Sequence, residues 1–149
     1  MRAVVQRVTR ADVAISGEVK AQIGKGLLIL LGVMDGDNKS DVDYIVKKSV
    51  GLRVFEDENG KMNVSVADIG AELLIVSQFT LLGDVRKGYR PSFTAAGRPE
   101  QTKKIYETAA EEFEKSGLVV KTGEFGAYMK VGLINDGPVT ILLDSRKVF

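Results

Sequence analysis

Two hydrophobic rhythms run through this chain, and their order limits the folds open to it: strand-like runs are many and short, and only two stretches have the period of a helix. From Arg2 to Val8 the residues alternate, with Ala3, Val5 and Arg7 on one face and Val4, Gln6 and Val8 on the other, as a strand requires. Val13 to Ile15 and Val19 to Ile23 flank a turn signal at Gly17 and predict a hairpin. Leu27 to Leu31 is wholly apolar, the mark of a central strand buried on both faces. Further strands are expected at Arg53 to Phe55 and Met62 to Val66 around the hairpin signal Asn59-Gly60, and at Leu73 to Val76, Leu118 to Lys121, Tyr128 to Ile134 and Val139 to Leu143.

The first helix is expected after the polar turn Met34 to Lys39. Ser40 with Asp43 three residues on matches a capping start, Val42, Ile45, Val46 and Val50 share one face, and Gly51 suits the stop. The second opens at Pro99, turns Ile105, Tyr106, Ala109, Ala110 and Phe113 inward, sets Lys103/Glu107 and Glu111/Lys115 outside, and ends at Gly117. Leu82 to Pro99, rich in glycine, proline and basic residues, reads as an ordered surface loop. Strands that outnumber helices without regular alternation predict an α+β fold, a curved, barrel-like mixed or antiparallel β-sheet flanked by two main helices. A chain of 149 residues fits one domain, 1–149.

Composition narrows the chemistry. With no cysteine there is no disulfide, no thiolate nucleophile and no thiolate metal site. With no histidine, the usual general base near neutral pH and the commonest metal ligand are both missing, so a Ser-His-Asp triad is excluded. Catalysis must come from hydroxyls, carboxylates, amines, backbone groups or the substrate itself, and no metal or other cofactor is expected. The longest apolar run is far shorter than a membrane span and no signal-peptide pattern opens the chain, so a cytoplasmic protein with no membrane partner is expected. A net charge of +1 argues against indiscriminate coating of nucleic acid, which depends on releasing many counterions, and leaves room for a local basic footprint.

Three segments carry the functional signal: Ser77-Gln78-Phe79-Thr80-Leu81 directly after a buried strand, Gly123-Glu124-Phe125-Gly126-Ala127-Tyr128-Met129, and Asn135-Asp136-Gly137-Pro138-Val139-Thr140 between two strands. Taken singly, each has an ordinary explanation as turn hydroxyls, a bulge beside a core aromatic, or a Gly-Pro turn. Taken together with the opening Met1 to Val8 and with Lys87-Gly88-Tyr89-Arg90-Pro91-Ser92-Phe93, they resemble the D-aminoacyl-tRNA deacylase family across essentially the whole chain.

That resemblance implies a homodimer acting on D-aminoacyl-tRNA, with two sites at the interface. Each site is lined by Ser77, Gln78, Phe79, Thr80 and Leu81 of one subunit and reached by a cis Gly137-Pro138 dipeptide of the other, which screens out L-amino acids. It further implies that Arg7 orients the dipeptide and that Phe125, Gly126, Ala127 and Met129 lie near the terminal adenosine. Backbone N–H groups at Phe79 and Thr80 would stabilise the developing oxyanion, a device worth about 10² to 10³ in rate per donor. The attacking group is then water aided by the neighbouring ribose hydroxyl, or alternatively the Thr80 hydroxyl. An achiral glycine offers no side chain to reject, so mischarged glycyl-tRNA is an expected substrate too.

Between Asp84 and Lys104 stand Arg86, Lys87, Arg90, Arg98, Lys103 and Lys104 against only Asp84 and Glu100. Arg86, Lys87 and Arg90 are the expected contacts to tRNA phosphates, a kind of contact that positions RNA without reading its sequence. The main competing reading is a non-enzymatic barrel module that binds nucleic acid or a nucleotide. It explains the basic loop and leaves the two site motifs unexplained. A metal-dependent hydrolase of small esters is a third, poorly supplied with ligands.

Overall fold

Residues Arg2–Ile15 form one strand, β1, of the computed structural model, which describes all 149 residues. The second half of β1 turns at Ser16 and Gly17 into β2 (Glu18–Ile23), and its first half pairs antiparallel with β3 (Gly26–Gly32). The sequence pattern breaks after Val8 because Thr9 and Arg10 face solvent, yet the backbone ladder continues through them. Helix α1 (Lys39–Gly51) follows. Its cap lies two residues before the expected one: the Asn38 side chain accepts from the Ser40 N–H at 2.9 Å and Asp41 accepts from the Asn38 N–H at 2.9 Å. Gly51 is still helical, and the chain leaves through an extended Leu52.

A short hairpin, β4 (Phe55–Glu56) and β5 (Met62–Val64), turns at Gly60 and leads to β6 (Glu72–Ser77), which lies parallel to β3. Helix α2 (Pro99–Glu114) opens with its proline in the first turn, where no N–H is needed, and Gly117 in the left-handed region follows its end. On its outer face Lys115 pairs with Glu112 at 2.5 Å rather than with Glu111. The chain closes with β7 (Val120–Thr122), parallel to β6, and β8 (Lys130–Asp144), antiparallel to the whole of β1. The two strands expected on either side of Asn135 to Thr140 are thus one. Pairing shifts register opposite Gln6 to Arg10, lets the polar segment bulge out, and resumes.

The sheet order is β2-β1-β3-β6-β7, with β8 on the far edge of β1, a mixed and nearly closed sheet. It is buried on both faces at its centre. Leu27, Ile29, Leu31, Leu73 and Ile75 meet Val42 and Ile45 of α1 and Tyr106, Ala109 and Phe113 of α2. Leu28, Leu74 and Val76 point the other way, into the barrel, against Val8, Ala11, Val13, Ala21 and Ile23. Alternate residues of β3 and β6 therefore enter two separate cores, which is why neither strand can spare a polar position; each such side chain contributes roughly 1.5–3 kcal/mol. The closest approach in the sheet is at Gly26, where a Cβ would lie 1.9 Å from the Glu72 carbonyl oxygen. No helix is long and apolar enough to cross a membrane.

Candidate active site

Strand β6 carries Ser77 to the sheet's end and runs into a single 3₁₀ turn, Phe79–Leu82. In that turn the Leu81 N–H bonds the Gln78 carbonyl at 3.3 Å and the Gly83 N–H bonds Thr80 at 3.1 Å. The first two N–H groups, those of Phe79 and Thr80, have no acceptor within it. Both residues line a cleft of about 870 Å³, within the range that encloses one small ligand. Its walls include Ser77, Gln78, Phe79 and Thr80 on one side and Phe125, Gly126, Ala127 and Met129 on the other, so two segments some fifty residues apart in the chain meet there. Gln78 donates its side-chain amide to the Thr80 hydroxyl.

Leu81 does not line the cleft. The tight turn swings it back over the sheet, where its Cβ would lie 3.3 Å from a Cβ placed on Gly32, and its carbonyl accepts from Arg2 at 3.3 Å. Phe93, Ala96 and Gly97 from the long loop, with Thr102 and Val131, line the cleft although the sequence reading did not select them. Phe93 stands edge-on to Phe79, ring centroids 5.1 Å apart. Its place in the motif around Tyr89 to Phe93 was the available signal.

Phe125 is held from behind by Tyr106 of α2, ring centroids 5.6 Å apart. The buried Tyr106 hydroxyl donates to the Ile75 carbonyl at 3.0 Å, and burial pushes its phenol up to about 12. The ionisable side chains on the cleft wall are Arg98 and Tyr128; no carboxylate, lysine or imidazole lines it. Nowhere does the chain bring three or more His, Cys, Asp or Glu together as a metal site.

Arg7, Gly137 and Pro138 lie apart from this cleft. Arg7 is 6% exposed, and its guanidinium donates to the Asp136 carbonyl at 2.9 Å and to the Val54 carbonyl at 2.6 Å, with the Asp136 carboxylate at 3.4 Å. The Gly137-Pro138 peptide bond is cis. Asn135 spans the segment, accepting from the Val139 N–H at 2.8 Å and donating to Thr140 at 3.0 Å. Gly137 has a positive φ, and a Cβ there would meet Val139 at 2.8 Å and Arg7 at 3.0 Å, so glycine is required. The dipeptide itself is exposed, on an edge strand that also exposes Leu133, Ile134 and Leu142.

The basic loop is closed at its base by bridge pairing of Asp84 with Ser92, leaving Arg86, Lys87, Tyr89 and Arg90 exposed. Arg86 is partly committed: its side chain grips Asp84 at 2.6 Å and holds that carboxyl down to about 2. Lys87 and Arg90 have no acidic partner.

Comparison with known proteins fits this geometry. A family model described as D-Tyr-tRNA(Tyr) deacylase matches residues 4–144. D-aminoacyl-tRNA deacylases of Thermoanaerobacter sp. (strain X514) and Clostridioides difficile (strain 630) are 59% and 57% identical over 149 residues, covering all of both chains. Among solved structures, a c-Myc DNA Unwinding Element Binding Protein superposes with TM-score 0.91 at 47% identity, covering 97% of this chain and 98% of its own. A probable eukaryotic D-amino acid tRNA deacylase shares the fold, TM-score 0.82 at 16% identity, over 95% and 97% of the two chains. The α+β barrel-like fold, its histidine-free cleft and these relatives define an enzyme of the deacylase class. The chain belongs to the D-Tyr-tRNA(Tyr) deacylase family.

Proposed function

We propose that the protein hydrolyses the ester joining a D-amino acid, and also glycine, to the 3′ end of tRNA, in the cytoplasm, as a homodimer whose subunits complete each other's sites. The observation that carries this reading is the cleft wall, which is lined by the start of the 3₁₀ turn with hydroxyls and an amide, and by no side chain able to act as a base near neutral pH. Water attacks the ester carbonyl, and the N–H groups of Phe79 and Thr80 hold the charge that forms on its oxygen. The carbon–oxygen bond to the ribose then breaks. The leaving ribose oxygen takes up the proton that water loses, passed through the neighbouring ribose hydroxyl, which gives free amino acid and tRNA. Thr80 accepts a hydrogen bond from Gln78 and has no basic partner in the cleft, which disfavours it as a nucleophile.

The homodimer is supported by the exposed Gly137-Pro138, which does not line the cleft of its own subunit and lies on a strand that also exposes Leu133, Ile134 and Leu142. Seated in the partner's cleft, this backbone collides with an L-substituent. Selectivity by contact loss alone is worth only about 1–3 kcal/mol, so rejection calls for such a collision. Lys87 and Arg90, with Arg86 beside them, hold acceptor-stem phosphates.

The decisive experiment is incubation of the purified protein with D-tyrosyl-, L-tyrosyl- and glycyl-tRNA, each with and without a chelator, with sedimentation in parallel. Chelator-insensitive cleavage of the D and glycyl esters by a species of twice the chain mass is expected. Cleavage of the L ester at the same rate, or a fully active monomer, refutes the shared site. An acyl-enzyme trapped on Thr80 refutes the water mechanism. One observation favours a binding-only reading, the similarity at 47% identity to a c-Myc DNA Unwinding Element Binding Protein; that reading requires nucleic-acid binding with no turnover of any ester.

A further inference from the structure

Two groups at the mouth of the cleft have no role in the chemistry above. Tyr128 is 87% exposed, and its ring makes no aromatic or cation contact and its hydroxyl no hydrogen bond within the chain. Arg98 is also exposed, and its guanidinium has no carboxylate within ion-pair distance. Yet the backbones of both are fixed. The Arg98 carbonyl accepts from the Gln101 and Thr102 N–H groups, each at 3.0 Å, and from the Thr102 hydroxyl at 3.1 Å. Tyr128 is held between the turn closed by the Ala127 N–H on Glu124, at 3.2 Å, and the start of β8 at Lys130. A free aromatic face and a free guanidinium on rigid anchors, both on the wall of one cleft, are groups positioned for a ligand.

The size of the cleft says which part of the ligand reaches them. About 870 Å³ takes one aminoacylated nucleoside, so the next nucleotide of a single-stranded end lies at the rim. That nucleotide presents a flat base and a phosphodiester, which an aromatic ring and a guanidinium recognise respectively. Building on the deacylase reading, we propose that Tyr128 stacks on the base, and Arg98 binds the phosphate, of the nucleotide preceding the terminal adenosine. They are positioning residues, through which the enzyme distinguishes an ester on RNA from the same ester on a lone nucleoside. Lys87 and Arg90, out on the loop, serve the double-stranded stem instead.

The test compares hydrolysis of D-tyrosyl-tRNA and of D-tyrosyl-adenosine by the full-length wild type, Tyr128→Ala, Tyr128→Phe and Arg98→Gln. The ratio of kcat/KM values, tRNA over nucleoside ester, should fall about tenfold in Tyr128→Ala and in Arg98→Gln, through KM for tRNA with kcat little altered, and should be retained by Tyr128→Phe, which keeps the ring. Sedimentation of each variant separates a second possibility, since a ratio that falls only together with dissociation of the dimer assigns these residues to a subunit contact and overturns the proposal. An active wild type whose ratio survives both substitutions overturns this inference alone. A wild type inactive on both esters overturns the deacylase reading and this inference with it.

Discussion

Replacing Arg7 with leucine removes one charged group that holds two distant backbone carbonyls, and its effect follows from the structure. The guanidinium donates to Asp136 at 2.9 Å and to Val54 at 2.6 Å from a nearly buried site. A hydrogen bond from a charged donor is worth about 1.5–3 kcal/mol. Losing two, and regaining part of the cost of burying a charge, leaves a net destabilisation of about 3 kcal/mol. For a chain of this length that lowers Tm by roughly 10 °C, within the stability of an ordinary domain. Lysine should recover less than half of the loss, because one ammonium cannot span both carbonyls as the planar fork does. Urea unfolding gives the stability. The ratio of L- to D-tyrosyl-tRNA cleavage reads the other consequence: with Asp136 released, Gly137-Pro138 loses its bracing and that ratio should rise at least tenfold. A leucine variant as stable as the parent and equally strict towards the L ester would show that Arg7 braces nothing.

Three further outcomes are expected. Charge reversal of Arg86, Lys87 and Arg90 should weaken tRNA binding and flatten its salt dependence with little change in rate at saturation, most of the loss coming from Lys87 and Arg90 because Arg86 is already paired with Asp84; an unaltered salt slope returns the loop to plain solvated surface. Burial holds the Tyr106 phenol up at about 12, above the ordinary tyrosine value of about 10, so its contribution is fully present below pH 10 and is lost as pH rises towards 12; in urea titrations, Tyr106→Phe should cost about 1 kcal/mol at neutral pH, since the Gly123 N–H still serves the Ile75 carbonyl at 2.9 Å, and should show a shallower alkaline decline than the parent. Gly26→Ala should cost more than about 3 kcal/mol or abolish soluble expression, because its Cβ meets backbone that cannot swing aside; thermal melting within a few degrees of the parent would contradict the sheet register.

What the sequence made legible was local or periodic. Leu27 to Leu31 announced a strand buried twice, and the spacing from Tyr106 to Phe113 announced the face of α2 that enters the core. Pairing between distant segments was not legible. Thr9 and Arg10 looked like a boundary only because the strand that carries the ladder past them lies more than a hundred residues away. For the same reason Asn135 to Thr140 looked like a turn between strands when it is a bulge within one. In the site, motif resemblance selected the Ser77 to Thr80 and Phe125 to Met129 segments that meet in the cleft, but spacing alone did not show that Leu81 turns away or that Arg98 and Tyr128 stand at the rim. Those depend on how a tight turn and a helix start are seated in three dimensions.

The pairing of β1 with β8 also has a consequence for how the molecule is made. Residues 2–14 find their partners among residues 130–144, so β1, once made, waits with one edge open until β8 follows it. At about 5–20 residues per second that interval is roughly 6–25 seconds. Until it ends, Arg7 has no Asp136 carbonyl to hold and the apolar edge of β1 is exposed to other nascent chains. The early β1–β2–β3 pairing, all within residues 2–32, covers only the opposite edge of β1, so the edge that β8 later takes stays open for the whole interval.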